Sequence, residues 1–114
     1  MDRYKEQIRK LITEQLGKDV GVFLFGSRAR GDSLEFSDYD IGVYAGVEID
    51  ENLLRKALQL LKESNLPFNI DIIDFFTVKS EFREIALKDI EIWQFQIAIL
   101  NLPYSKSFFS PVLM

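Results

Sequence analysis

Apolar residues recur along this chain with two periods, and the alternation between them lays out the elements. Tyr4, Ile8, Leu11, Ile12 and Leu16 fall at helical spacing among charged residues, and Gly17 ends the run, so residues 2–16 are predicted to form an amphipathic helix. Val20 to Phe25 (VGVFLF) is short, apolar and rich in branched and aromatic side chains, as a buried strand is. Residues 26–37 (GSRARGDSLEFS) bring two glycines, three serines and an aspartate, a turn or loop whose start can wind into a helical turn. Asp38 to Tyr44 (DYDIGVY) alternates and predicts a second strand.

Asp50 is placed to cap a helix reaching Ser64, with Leu53, Leu54, Ala57, Leu58, Leu60 and Leu61 on its apolar face. After Pro67, residues 68–76 (FNIDIIDFF) predict a third strand, Ser80 a cap for a short helix to Leu87, and residues 89–93 (DIEIW) a fourth strand. Helices interleaved with strands imply an α/β (α+β) domain, a small mixed β-sheet of about four strands with helices packed on it. Residues 1–93 form the expected domain and 94–114 a C-terminal extension. From Trp93 into that extension, Phe95, Ile97 and Ile99 continue a two-residue period, while Pro103 and Pro111 break any longer element. Phe108, Phe109, Val112 and Leu113 would form an apolar patch for a partner if exposed.

Composition narrows the chemistry. Among 114 residues there is no cysteine and no histidine, which removes disulfides, thiolate nucleophiles, Cys-ligated zinc, imidazole bases and the Ser-His-Asp triad. Carboxylates, hydroxyls, amines, backbone groups and hard cations are left. With 14 Lys plus Arg against 18 Asp plus Glu, the net charge is −4, which argues against a broad electrostatic grip on nucleic acid. The amino-terminal residues carry charge throughout, and no apolar stretch approaches the roughly 20 residues that span a bilayer. A cytoplasmic protein without membrane contact is expected.

The remaining chemistry gathers in residues 25–44. Gly26-Ser27 leaves the first strand, and ten residues later Asp38-Tyr39-Asp40 opens the second. Alternation puts Asp38 and Asp40 on one face and Tyr39, Ile41 and Val43 on the other, with Tyr44 sharing the aspartates' parity. Two carboxylates one pleat apart repel unless a cation sits between them, and an all-oxygen set suits Mg²⁺, or Mn²⁺. Gly26 admits backbone amides close to an anion, and Ser27 adds a hydroxyl donor. A phosphate at Gly26-Ser27 beside metals at Asp38 and Asp40 is a layout for phosphoryl or nucleotidyl transfer, two ions clamping the attacking and leaving oxygens. The third strand offers Asp71 or Asp74 as a third carboxylate. Three positions apart they face opposite ways, so one can join the pair; Asp71 is favoured, but parity alone does not choose.

Gly-Ser, ten residues, Asp-x-Asp, then a strand with a further aspartate resembles the DNA polymerase β-like nucleotidyltransferases. The run Gly26-Ser27-Arg28-Ala29-Arg30-Gly31 and the small size resemble, more narrowly, the minimal nucleotidyltransferases, or MNT proteins. The resemblance implies a polymerase β palm-like fold and Mg²⁺-dependent transfer of AMP from ATP to a hydroxyl. It implies that Gly26 and Ser27 hold the triphosphate, that Arg28 and Arg30 contact phosphate oxygens, and that Asp38 and Asp40 bind two metals. Asp71 would bind the metal that activates the acceptor hydroxyl and assist its deprotonation. It implies too an antitoxin partnered with a HEPN-domain RNase toxin, whose tyrosine accepts the AMP. The alternatives are a silent module that neutralises the toxin by binding alone, or a transferase with a small-molecule acceptor. Homo-oligomerisation is left open.

Overall fold

The computed structural model describes residues 3–34 and 37–102. In chain order it contains α1 (Lys5–Leu16), β1 (Gly21–Phe25), α2 (Ser27–Arg30), β2 (Tyr39–Tyr44), α3 (Glu51–Lys62), β3 (Ile70–Asp74), α4 (Ser80–Ala86), β4 (Glu91–Gln94) and a 3-10 turn (Ile97–Asn101). The strands form one sheet in the order β3-β2-β1-β4, with β2 and β3 parallel and β1 antiparallel to β2 and β4.

Each helix forms for a local reason. The α1 run ends at Gly17, whose φ of 96° is left-handed. Asp50 caps α3 as expected, its side chain accepting from the Asn52 amide at 2.8 Å. Ala57 and Leu61 of α3 turn inward, whereas Leu53, expected on the apolar face, stays exposed. At α4 the expected cap moves by one residue. Lys79 occupies the cap position without a side-chain bond, and the Ser80 hydroxyl instead bonds Glu81 at 3.0 Å.

Strand alternation sorts the apolar residues into two cores. Tyr39, Ile41 and Val43 of β2 join Val22, Leu24 and Ile70 beneath Ile8 and Ile12 of α1 and Leu61 of α3. On the opposite face Phe23, Phe25 and Tyr44 pack with Phe75, Leu87 and Leu102. Gly42 belongs to that second face because the Phe23 ring lies where a Cβ would stand. Tyr44 is thus a core residue, four positions along β2 from Asp40 and away from the carboxylates.

The two-residue period after β4 does not extend the strand. Trp93 and Ile99 are buried, but Phe95 and Ile97 are exposed, and the chain turns into the 3-10 segment. A boundary after residue 93 falls inside β4, and Ile99 and Leu102 pack into the body of the domain. Pro103, Pro111 and the apolar residues Phe108, Phe109, Val112 and Leu113 lie outside the described residues.

Candidate active site

The end of the sheet where β1 finishes and β2 and β3 begin collects the sequence-predicted residues. In register across it stand Phe25 opposite Asp40, and Asp40 beside Asp71. Because β2 and β3 are parallel, Asp40 and Asp71 project from the same face as neighbours, on strands roughly 4.8 Å apart. Asp38 stands exposed just before β2, where the Tyr39 amide donates to the Asn69 carbonyl at 2.9 Å and ties the two strand starts together.

Asp74 has a different occupation. It pairs with Val43 on the opposite face, is 6% exposed, and accepts from the amides of Ile49 at 2.9 Å and Phe76 at 3.0 Å. Those bonds fasten two loops at the far end of the sheet.

Gly26 shapes the other flank. Its φ of 78° is open to glycine, and a Cβ there would run into the Asp40 carboxylate. The turn then winds directly into α2, with Arg30 donating its amide to the Gly26 carbonyl and Gly31 closing the helix in the left-handed conformation. Ser27 heads that helix beside Asp40's strand.

The two arginines part company. The Arg28 guanidinium lies 3.9 Å from the Tyr39 ring centroid and 5.3 Å from that of Phe68, and its Nε donates to the Ser37 carbonyl at 2.9 Å. Tyr39 faces the α1–α3 core, so Arg28 braces α2 against the face away from Asp40. Arg30 is exposed, pairs with Asp32 at 3.2 Å, and its charge reaches Asp40.

Electrostatics single out Asp40. Burial raises its pKa above the ordinary carboxylate value, the charges of Asp71 and Asp38 raise it further, and Arg30 opposes them. A half-buried carboxylate crowded by two others is the donor chemistry that a hard divalent cation relieves. Among the described residues no three carboxylates converge closely enough to hold an ion as they stand. The fit therefore rests on donor type and charge crowding, and both match a hard divalent cation.

Two cavities flank this row. One of about 340 Å³, lined by Asp38, Lys62, Leu66, Phe68, Asn69 and Asp71 among others, opens on the β3 side. A second of about 430 Å³, with Gly26, Arg30, Phe25, Phe82 and Ile85 in its walls, opens on the α2–α4 side. Sequence reading missed Lys62, Phe68 and Asn69. The one signal for them was their position on either side of Pro67, Lys62 at the end of α3 and Phe68 and Asn69 where the chain enters β3.

A hairpin and a crossover strand that align carboxylates beside a glycine-serine turn have counterparts in fold among known proteins. The polymerase beta nucleotidyltransferase family matches residues 6–96, and the chain belongs to that family. More narrowly, it is 35% identical over 81 residues to a probable protein adenylyltransferase MntA of Haemophilus influenzae, covering 71% of each chain. Solved structures share the fold. A toxin–antitoxin complex with AMP-PNP superposes with a TM-score of 0.72 at 21% identity, over 95% of this chain and 88% of the other. A chain from a complex of a tri-AMPylated HEPN toxin with its MNT antitoxin, from Shewanella oneidensis, gives 0.67 at 20% identity, over 94% and 82%.

Proposed function

We propose that this protein is the antitoxin of a HEPN–MNT pair, which transfers AMP from ATP to a tyrosine hydroxyl of its RNase toxin partner and so silences it. The observation that carries the reading is the in-register row at one sheet end: the Gly26 turn against Asp40, and Asp40 beside Asp71. The 35% identity to a probable protein adenylyltransferase supports the choice of AMP and of a protein acceptor.

On this reading Ser27 and the first amides of α2 hold the triphosphate, and Arg30, whose charge already reaches Asp40, meets its phosphate oxygens. Arg28 supports that turn from behind through Tyr39. Asp38, Asp40 and Asp71 hold magnesium, which when bound supplies charge neutralisation for the α-phosphate and the acceptor oxygen. Asp71 takes the proton of the acceptor hydroxyl. The acceptor oxygen forms a bond to the α-phosphorus, the bond from that phosphorus to the bridging oxygen breaks, and pyrophosphate leaves on the Gly26 side. A cytoplasmic location, where ATP is supplied, goes with this reading. No described helix is long and apolar enough to cross a membrane.

The spread of the three carboxylates favours one rival, a module that neutralises the toxin by binding alone. Label transfer from ATP labelled at the α-phosphate, with Mg²⁺ and the co-expressed partner, separates the two. Adenylyl transfer predicts a labelled partner with wild type and none with Asp38→Ala/Asp40→Ala. An unlabelled partner that still co-purifies and is inactive would leave binding alone.

A further inference from the structure

In-line displacement also constrains where the rest of the nucleotide lies. The acceptor and the leaving pyrophosphate take the two ends of one line through the α-phosphorus, so the ribose departs across that line. Asp40 and Phe25 stand opposite each other in register and project from the same face of the sheet. On that face the neighbouring element is α4, whose Phe82 meets the Phe25 ring edge-on at 5.9 Å. The cavity of about 430 Å³ opens there, and it shares Gly26 and Arg30 with the phosphate turn.

We infer that this cavity holds the purine base of the donor nucleotide, with Phe25, Phe82 and Ile85 against the ring and Asp89 at its amino edge. The inference rests on the transferase reading above and names the residues that select the base. Phe82 and Ile85 lie three positions apart on one face of α4, and they stay 41% and 69% exposed in the cavity wall. Phe25 is fixed beneath them, because its ring packs edge-on to Phe75 at 5.2 Å. Cavities that take small ligands measure roughly 300–1,000 Å³, so this one has room for a two-ring base. A flat heteroaromatic ring buries its apolar faces on such walls and leaves its polar edge at the rim.

The rim supplies the choice of edge. Glu91 of β4 stands opposite Leu24, so the turn before it brings Asp89 alongside the end of β1 and into the cavity wall. The Lys88 amide donates to the Ile85 carbonyl at 3.3 Å, which ties that turn to α4. Ionised Asp89 only accepts hydrogen bonds, so it favours a ring edge that carries an amino group, as adenine's does. A single-ring base covers less of the Phe82–Ile85 wall and gains less from it.

The test titrates two probes, a non-hydrolysable ATP analogue and inorganic tripolyphosphate, into the isotope-labelled full chain with Mg²⁺. The analogue should shift the amide resonances of Phe82, Ile85 and Ala86 as well as Ser27, and tripolyphosphate should shift Ser27 and Arg30 alone. Ile85→Asn, at an exposed position, should weaken the analogue about tenfold, the worth of one apolar side chain on the ring, and leave tripolyphosphate within twofold. In transfer assays with the protein partner, wild type should prefer ATP about fivefold over the triphosphate of purine riboside, which lacks only the amino group. Asp89→Ala should erase that preference. Analogue shifts confined to Ser27 and Arg30, or at Lys62–Asn69 in place of α4, would overturn the inference while label transfer still stood. So would analogue binding untouched by Ile85→Asn. Shifts in α4 with no label transfer by wild type would instead remove the transferase reading and keep the base site.

Discussion

Asp71 and Asp74 lie on one strand three residues apart, and their surroundings are opposed. Asp74 is almost wholly buried, yet each of its oxygens accepts a backbone amide, so its charge is compensated within the protein. Asp71 is exposed, and its charge adds to the crowding that raises the pKa of Asp40. A carboxylate that serves the fold is surrounded by donors. A carboxylate that serves a ligand is set against others of its kind, and the ligand must supply what they lack.

Substitutions divide along that contrast. The largest effect is expected from Asp40→Ala or Asp38→Ala, with AMP transfer falling by about a thousandfold or more, since losing metal stabilisation forfeits several kcal/mol of barrier lowering. Circular dichroism should show both variants folded. Asp71→Asn should follow with a loss of about a hundredfold, read as kcat at saturating ATP. Asp74→Ala should invert the pattern. Two part-buried amides lose their acceptor, at about 1 kcal/mol or more each, so the melting temperature drops while transfer by the folded fraction persists. If Asp74→Ala kept its stability and lost transfer, the division would collapse.

Smaller effects sharpen it. The raised pKa of Asp40 means that the folded protein binds this proton more tightly than the unfolded chain. Ionised Asp40 therefore weakens the fold above its raised pKa, and the penalty fades as pH falls toward the ordinary carboxylate value of about 3.9. In metal-free buffer Asp40→Asn should melt a few degrees above wild type at pH 7.5, with the gain shrinking toward pH 4. Last come the arginines. Arg30→Ala should slow transfer about tenfold, the worth of one charge-assisted phosphate contact. Arg28→Ala should cost about 1 kcal/mol of stability with transfer nearly intact, as a lost cation–π brace would.

Much of this was legible in the sequence because it depended on period. Alternation in residues 38–44 assigned Asp40 and Tyr39 to opposite faces, and Asp50 announced the start of α3. Parity also stated that Asp71 and Asp74 part ways. Which of them meets Asp40 depended on the pairing of β3 with β2, a register between strands that no single segment carries. Arg28 and Arg30 looked equivalent for a similar reason. Both follow the glycine turn, and only the docking of α2 shows one stacked on Tyr39 and the other within reach of Asp40. The chain beyond Trp93 kept a strand's period but left the sheet at Gln94, and burial of Ile99 and Leu102 decided its course. The cavity wall at Lys62, Phe68 and Asn69 joins the end of α3 to the approach to β3 through a turn, and turns leave little periodic trace.

The parallel pairing of β2 with β3 also sets an order of events. β1 and β2 adjoin in sequence and bring Gly26 to Asp40 through a nearby contact, whereas Asp71 arrives only after the chain has passed through α3. A ligand held by all three positions ties a local hairpin to a strand recruited over a longer loop. Its binding should then slow the detachment of β3 more than the opening of the β1–β2 hairpin, and amide exchange in Ile70–Asp74 would be the clock that reads it.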